Sequence, residues 1–490
     1  MSRSLLETDA YKLAMAEAGF PLRRETFVYM HRTGGPFVVP FDVAAALKTL
    51  LPGADADDQA YLDRHGYRLG DATRAALSAG VESLEIAAAP AGSWLLPGEP
   101  IATLTGPSAL VSWLEPLVLQ WSYRIQVATL ACSDPTRLAA AVTEVPCEED
   151  AALVADAVRA VSGRVPAMRV DANGYRARVH DAARALVAAT ADASRVFEVG
   201  LRAATSRSAH LLALGAMAEA GVVRTSHVFG ARALGLIAVG TMGHEHVQRF
   251  GNDDAAFRAM RDRRAGRVSY LVDTFDAMGL GLPAAYRLIA SEPARDDAVR
   301  FDSGDKIATL EAAVHRARAL GITPTLVFED GLDAEETRAL EAARARLDWP
   351  ADRVLYGFGS ALVAAPRGPS LGRDAVGAVY KLCETDRVAT MKLVGPEPSG
   401  KRSLPGRPVV FRRVAGDGPL GLVGQAGEPP PPGMVQLTGA DAGTTERARS
   451  VARAARPDTR AVPSVATQAL IDALVAQRVM MMSHRAEVTS

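Results

Sequence analysis

Cysteine is scarce in this chain: 490 residues contain three, Cys132, Cys147 and Cys383, and no pair has C-x-x-C spacing. That excludes a disulfide framework and a thiolate metal motif, and it fits reduced thiols in a cytoplasm. Long hydrophobic runs are missing too, and nothing approaches the ~18 apolar residues of a membrane span. The opening stretch, MSRSLLETDAYKLAM, carries charge throughout and has no apolar core, so no signal peptide is predicted. Nor does one sign of charge dominate: Lys+Arg 55 against Asp+Glu 56 gives a net charge of -1. This leaves no electrostatic footprint for nucleic acid or an anionic membrane, while a local basic pocket for a phosphorylated small molecule stays compatible. What remains is a cytoplasmic globular enzyme of ordinary composition, 48% hydrophobic and 23% charged, too long for one ordinary core.

What the sequence does have is a recurring short apolar run that ends in polar or charged residues. It recurs at Arg195–Arg202, Val222–His227, Leu236–His246, Val268–Asp276, Val299–Asp305, Thr325–Asp330, Val354–Ser360 and Val376–Lys381. Alanine-rich, helix-like stretches fill most of the gaps, and this alternation predicts a parallel sheet of α/β type, an irregular β/α barrel. Chemistry in such barrels collects at the carboxyl ends of the strands, where the polar residues fall here. The first part of the chain reads differently. It has strand-like segments at Glu25–Arg32, Phe37–Phe41, Ser83–Ala88, Gly92–Leu96 and Pro100–Thr105. A helix is predicted from about Ser108 to Ala131, with Leu110, Trp113, Leu114, Leu117, Trp121 and Ile125 on one buried face. After the barrel come Lys401–Arg407, a strand at Val409–Arg413, a loop with Pro429–Pro432 and a helix from Ser464 to about Met481. That tail is too short for a large core of its own. It is expected to pack on the N-terminal segment, giving a discontinuous α/β domain (1–131 plus 395–490) beside a barrel domain (132–394).

Four groups carry candidate chemistry. Asp273 and Asp276, then Asp302 and Asp305, then Asp330 with Gly331, close consecutive strands. Carboxylates gathered at one mouth suit Mg²⁺, sugar hydroxyls or a developing positive charge, although aspartate also caps helices. Gly357-Phe358-Gly359-Ser360 is a strand, a glycine turn and a helix start, able to aim backbone N–H groups at a phosphate. Gly240–His246, GTMGHEH, is not an H-E-x-x-H zinc motif, because its histidines are two residues apart. His244 at this strand end suits a proton donor, a phosphate ligand or a phosphorylated nucleophile. Arg202, Arg224 and Arg300 are placed to clamp a carboxylate or phosphate.

Taken in order, ten segments resemble the nicotinate phosphoribosyltransferase family: Thr8–Met15, Glu198–Arg202, Arg224–Val228, Gly240–Glu245, Leu271–Asp276, Val299–Asp305, Gly357–Ser360, Ala378–Leu382, Met391–Leu393 and Leu404–Arg407. GTM-x-H, V-R-x-DSGD and VYKL are specific in combination. The resemblance implies a type II phosphoribosyltransferase fold, working as a homodimer in NAD salvage. The implied reaction joins nicotinate to 5-phosphoribosyl 1-pyrophosphate, giving nicotinate mononucleotide and pyrophosphate, with Mg²⁺ and with ATP as co-substrate. Carried over residue by residue, His244 becomes a phosphohistidine, and Asp273 and Asp302 stabilise the ribosyl cation. Gly359 and Ser360 hold the 5-phosphate, and Asp330 and Gly331 form the ribose turn. Arg202 and Arg300 address the base carboxylate and the pyrophosphate. Tyr11 stacks on the pyridine from a neighbouring subunit, with His31-Arg32 bordering the site. Individual metal ligands stay unassigned. Ser226 stands where nicotinamide-using relatives carry an aspartate, which favours nicotinate. Val199 stands where the family commonly has a stacking phenylalanine, which leaves room for another base: nicotinamide or another aromatic ring. A non-catalytic ligand-sensing homologue is the alternative from a different class.

Overall fold

The computed structural model describes residues 3–53, 55–364, 371–392, 403–439 and 444–489. Leu393, Lys401 and Arg402 of the segments named above lie outside the described residues. An antiparallel sheet is built first, from β1 (Arg24–Met30), β2 (Glu85–Ala88) and β3 (Pro100–Pro107). The barrel follows with β4 (Val196–Glu198), β5 (Arg224–Thr225), β6 (Ile237–Ala238), β7 (Ser269–Leu271), β8 (Ala298–Phe301), β9 (Thr325–Phe328) and β10 (Val354–Phe358). These seven strands lie in the spatial order β6-β5-β4-β10-β9-β8-β7, and every ladder is parallel. Read around the axis, that is the chain order closed between β10 and β4 and open between β6 and β7. Thr241 spans the seam: its hydroxyl donates to the Ser269 carbonyl at 2.8 Å and accepts from the Ser269 N–H at 3.2 Å.

Strand alternation decides which side chains meet on the axis. Phe197, Ala298 and Val327 form one inward layer, with Val199, Val239 and Leu355 packed against it. Two residues further along each strand, Val199, Arg300, Glu329 and Gly357 face the mouth. The outward set, including Phe301 and Phe328 stacked at 5.4 Å, is buried under the surrounding helices.

The eighth apolar run does not enter the barrel. Its strand, β11 (Val379–Thr385), pairs antiparallel with β1, and β12 (Val388–Ala389) pairs with β11, so the first sheet runs β12-β11-β1-β3-β2. A strand looks the same locally whichever neighbour it finds; here β1 supplies the ladder. The predicted Ser108–Ala131 helix is two helices, Ser108–Trp113 and Glu115–Ser133. Pro116 has no N–H to donate backward, so the backbone restarts there. In the tail, β13 (Pro408–Arg413), β14 (Gly421–Gln425), β15 (Met434–Gln436) and β16 (Val462–Pro463) make a four-stranded sheet, followed by a helix over Val465–Thr489. The tail is tied to the N-terminal segment by the Thr103 hydroxyl, donating to the Pro408 carbonyl at 2.7 Å, and by the fully buried Arg412–Glu99 pair. Among the described residues, no helix is long and apolar enough to cross a membrane.

Candidate active site

The mouth of the barrel opens into connected cavities. An upper cavity is lined by Asp9, Tyr11, Arg202, Ser226, His244, Arg300 and Asp302, among others. An outer cavity holds Asp330, Gly331, Gly359 and Ser360 together with Arg202, Asp302 and Lys381. A third, of about 370 Å³, runs down the axis.

His244 opens a short helix, α1 (His244–Phe250), directly after the β6 strand end. Its Nδ1 lies 3.1 Å from the Thr274 hydroxyl, and its Nε2 lies 3.2 Å from Asp302 Oδ2 and 2.7 Å from Lys392 Nζ. Burial, followed by the Lys392 charge, holds the imidazole below its ordinary pKa, so it is neutral near pH 7. Asp302 is held well below the carboxylate range: burial opposes ionisation, but His244, Lys392 and Arg300 outweigh it. Asp273 accepts from the Ser303 hydroxyl and lies 3.9 Å from Lys392 Nζ, while its Oδ1 is buried without a hydrogen-bond partner. Among the described residues, no group of three His, Cys, Asp or Glu side chains is arranged to hold a metal ion. The orphaned Asp273 oxygen beside Asp302 instead fits a Mg²⁺ that arrives largely coordinated by phosphates and water.

Around this centre the cations are already faced by acids. Arg202 lies 3.6 Å and Lys381 4.0 Å from Glu115 Oε1, and Arg300 Nε lies 3.6 Å from Glu329 Oε1. Burial brings Lys381 down to about 8. Tyr11 reaches the upper cavity from the same chain, its hydroxyl 3.4 Å from Glu115 Oε2, whereas the resemblance places a neighbouring subunit's tyrosine there. Gly240 allows this approach: at φ +135°, a Cβ on it would sit 3.1 Å from the Tyr11 nitrogen. The Ser226 hydroxyl donates to Asp9 Oδ1 at 2.6 Å, and burial raises the Asp9 carboxyl.

Asp330 and Gly331 both adopt left-handed backbone, φ 61° and 66°, turning the chain sharply at the end of β9. Gly359 and Ser360 face them across the outer cavity. Arg32 lines none of the three cavities, its Nε donating to the Gly377 carbonyl at 3.1 Å, but it lies within electrostatic reach of Asp330, Arg373 and Asp374 of the outer cavity. His31 is fully buried beside the Tyr29 hydroxyl at 3.2 Å. Asp276 and Asp305 cap the following helices, accepting from the N–H groups of Met278 and Gly279 and of Ile307 and Ala308. Arg224 opens β5 instead of closing it and lines the axial cavity, donating to the Ser194 carbonyl at 2.8 Å. His246 is a buried structural histidine, 2.9 Å from the Ala256 carbonyl. Sequence reasoning gave no role to Glu329, Lys381, Lys392, Glu115 or Asp9. Lys381 and Lys392 lie inside recognised segments, and strand alternation from Val327 would have turned Glu329 inward.

A model described as the nicotinate phosphoribosyltransferase (NAPRTase) family matches residues 195–392. A Mycobacterium tuberculosis nicotinate phosphoribosyltransferase is 34% identical over 233 residues, which are 47% of this chain and 47% of that protein. This chain therefore matches about half the length of that relative. The human nicotinate phosphoribosyltransferase is 28% identical over 402 residues, 71% of this chain and 63% of that protein. Among solved structures, the nicotinate phosphoribosyltransferase from Porphyromonas gingivalis superposes with a TM-score of 0.58 at 19% identity, covering 82% of this chain and 96% of that one. The Vibrio cholerae enzyme gives a TM-score of 0.56 at 19% identity, covering 82% and 90%. At such identities the structures establish the shared fold, a mixed α/β architecture with a parallel half-barrel. The matched segment runs from the first barrel strand through Lys392, and over that segment the chain is similar to the nicotinate phosphoribosyltransferase family.

Proposed function

We propose that this chain transfers the 5-phosphoribosyl group from 5-phosphoribosyl 1-pyrophosphate to the ring nitrogen of a pyridine base, releasing pyrophosphate, in NAD salvage. Nicotinate, the base its relatives are named for, is the first candidate. The observation that carries the reading is the convergence of His244, Asp302, Asp273 and Lys392 beside a cavity lined by Asp330-Gly331 and Gly359-Ser360. Departure of pyrophosphate builds positive charge at ribose C1, and Asp302 is ionised and placed to stabilise it. The Gly359 and Ser360 N–H groups would hold the 5-phosphate, and the Asp330-Gly331 turn would take the ribose hydroxyls. Mg²⁺, held by Asp273 and Asp302 together with substrate phosphates, would supply charge neutralisation at the leaving group. In this reading neutral His244 would attack the γ-phosphate of ATP through a ring nitrogen, breaking the bond to the β,γ-bridging oxygen and releasing ADP, with Lys392 against the incoming charge.

A second reading, the same chemistry on a different aromatic base, is favoured by Val199 at the strand end and by Glu329 beside Arg300. The experiment for the shared reaction is a pyrophosphate-release assay with phosphoribosyl pyrophosphate, Mg²⁺ and a panel of pyridine bases headed by nicotinate, with and without ATP. Base-dependent release is the expected result; release that no base stimulates would overturn the proposal.

A further inference from the structure

Glu329 lies where the upper, axial and outer cavities meet, and it lines all three. It follows Val327 by two residues on β9, so alternation turns it onto the barrel axis beside Arg300, which follows Ala298 on β8 in the same way. The neighbouring strand is shaped around it. At Gly357 on β10, an added Cβ would come within 2.6 Å of Glu329 Cγ and 2.7 Å of the Phe197 ring. The missing side chain lets Glu329 lie across the mouth against Phe197, which lines the upper and axial cavities. Phe197 thus provides an aromatic wall one layer deeper than Val199.

The carboxylate and the guanidinium face each other without completing a hydrogen bond. Glu329 Oε1 is 3.6 Å from Arg300 Nε, beyond hydrogen-bond length, and that Nε is buried with no partner. Glu329 is 5% exposed. A cavity-lining acceptor and a buried, unpartnered donor therefore stand side by side. Burial, opposed by Arg300, raises the Glu329 carboxyl, as expected for an acid kept from water.

We propose that Glu329 selects the base, and that together with Arg300 it fits an aromatic ring bearing a carboxamide-type edge better than one bearing a carboxylate. The inference rests on the phosphoribosyl-transfer reading and specifies its base. A carboxamide presents an N–H to Glu329 and an oxygen to Arg300, meeting both groups without adding charge. A carboxylate has no donor for Glu329 and sets a second negative charge beside a largely buried one. Arg202, the other guanidinium of the upper cavity, already faces Glu115. Ser226, which carries no charge, does not make that corner acid-free, because its hydroxyl is held by the Asp9 carboxyl directly behind it.

The experiment compares nicotinamide with nicotinate in the wild type, Glu329→Ser and Glu329→Gln, by mononucleotide formation and by calorimetric binding. Wild type is expected to favour nicotinamide in kcat/KM by at least about tenfold, the scale set by leaving a buried polar group unpaired. Glu329→Ser frees Arg300 and should move that ratio toward nicotinate by about as much. Glu329→Gln keeps the shape and can face either edge, so its ratio should fall between. A wild type that prefers nicotinate overturns the proposal. So does a ratio unchanged in Glu329→Ser, including the case where kcat falls equally for both bases, which would make Glu329 a stabiliser of the ribosyl cation. Should neither base give product while calorimetry still shows Glu329-dependent preference for nicotinamide, the phosphoribosyl-transfer reading fails and the base assignment stands. Should neither base bind, the base assignment fails.

Discussion

Nε2 of His244 faces a donor and an acceptor at once, Lys392 Nζ at 2.7 Å and Asp302 Oδ2 at 3.2 Å. With the ring neutral and Nε2 bare, the lysine donates to it; with Nε2 protonated, the aspartate accepts from it. The lysine therefore biases the ring toward the state with a free lone pair, the state a nucleophile needs. Burial is the larger cause of the lowered pKa, and Lys392 is the next. Lys392→Met removes the like charge and leaves the burial, so the imidazole should titrate at higher pH than in the wild type. Histidine NMR over pH 4 to 9 on ¹⁵N-labelled protein reads this directly. A midpoint that stays put or moves down would show that Lys392 does not control the ring.

The strands were legible because each pairs an apolar run with a polar end, and seven of the eight runs lie in one parallel sheet. Val376–Lys381 has the same local pattern, yet its strand joins β1, since nothing local tells a strand which neighbour it will find. The aspartates show the same division within the site. Asp302 and Asp273 reach the mouth, while Asp276 and Asp305 cap helices, and the short motifs alone do not separate them. Glu329 and Lys392 were missed because their roles depend on the partners that face them from distant elements. Arg412 on β13 is the most telling element-scale contact. It is fully buried and donates to Glu99, which also accepts from the Leu96 N–H at 2.6 Å, pinning the tail sheet to the start of β3. Arg412→Met leaves that acid buried and unpaired, and should cost about 3–5 kcal/mol, read as a lower urea midpoint. Adding Glu99→Leu should recover most of the loss. A double variant no more stable than the single one would mean that shape rather than charge fixes this junction.

Across the whole molecule, buried titratable groups set how stability depends on pH. His31 and His246 are both pushed by burial from 6.5 to about 3. An unfolded chain protonates these rings as the pH falls through 6.5, whereas the folded chain keeps them neutral until about 3. Their stabilising contribution is complete above pH 6.5 and is lost on acidification, at ~1.4 kcal/mol per pH unit for each ring. Glu17 and Asp150 act in the opposite sense, since burial raises them to about 7 and about 6. Folding holds their protons, so their contribution is complete at low pH and fades as the pH rises through those values. The two sets oppose each other between about pH 4.5 and 6.5, where the urea midpoint should change little. Below about pH 4 these two carboxyls are protonated in both states, and of these four groups the two histidines alone still distinguish folded from unfolded. Glu115, held at about 2 because Lys12, Lys381 and Arg202 outweigh its burial, then adds to the loss in the same direction. Urea titrations at pH 6, 5, 4 and 3.5 should therefore show a plateau followed by a steep fall, near 3 kcal/mol per pH unit from the two histidines alone. His246→Gln, which removes one titrating ring from the interior, should make that fall measurably shallower; an identical slope in the variant would show that His246 is not held neutral in the folded chain.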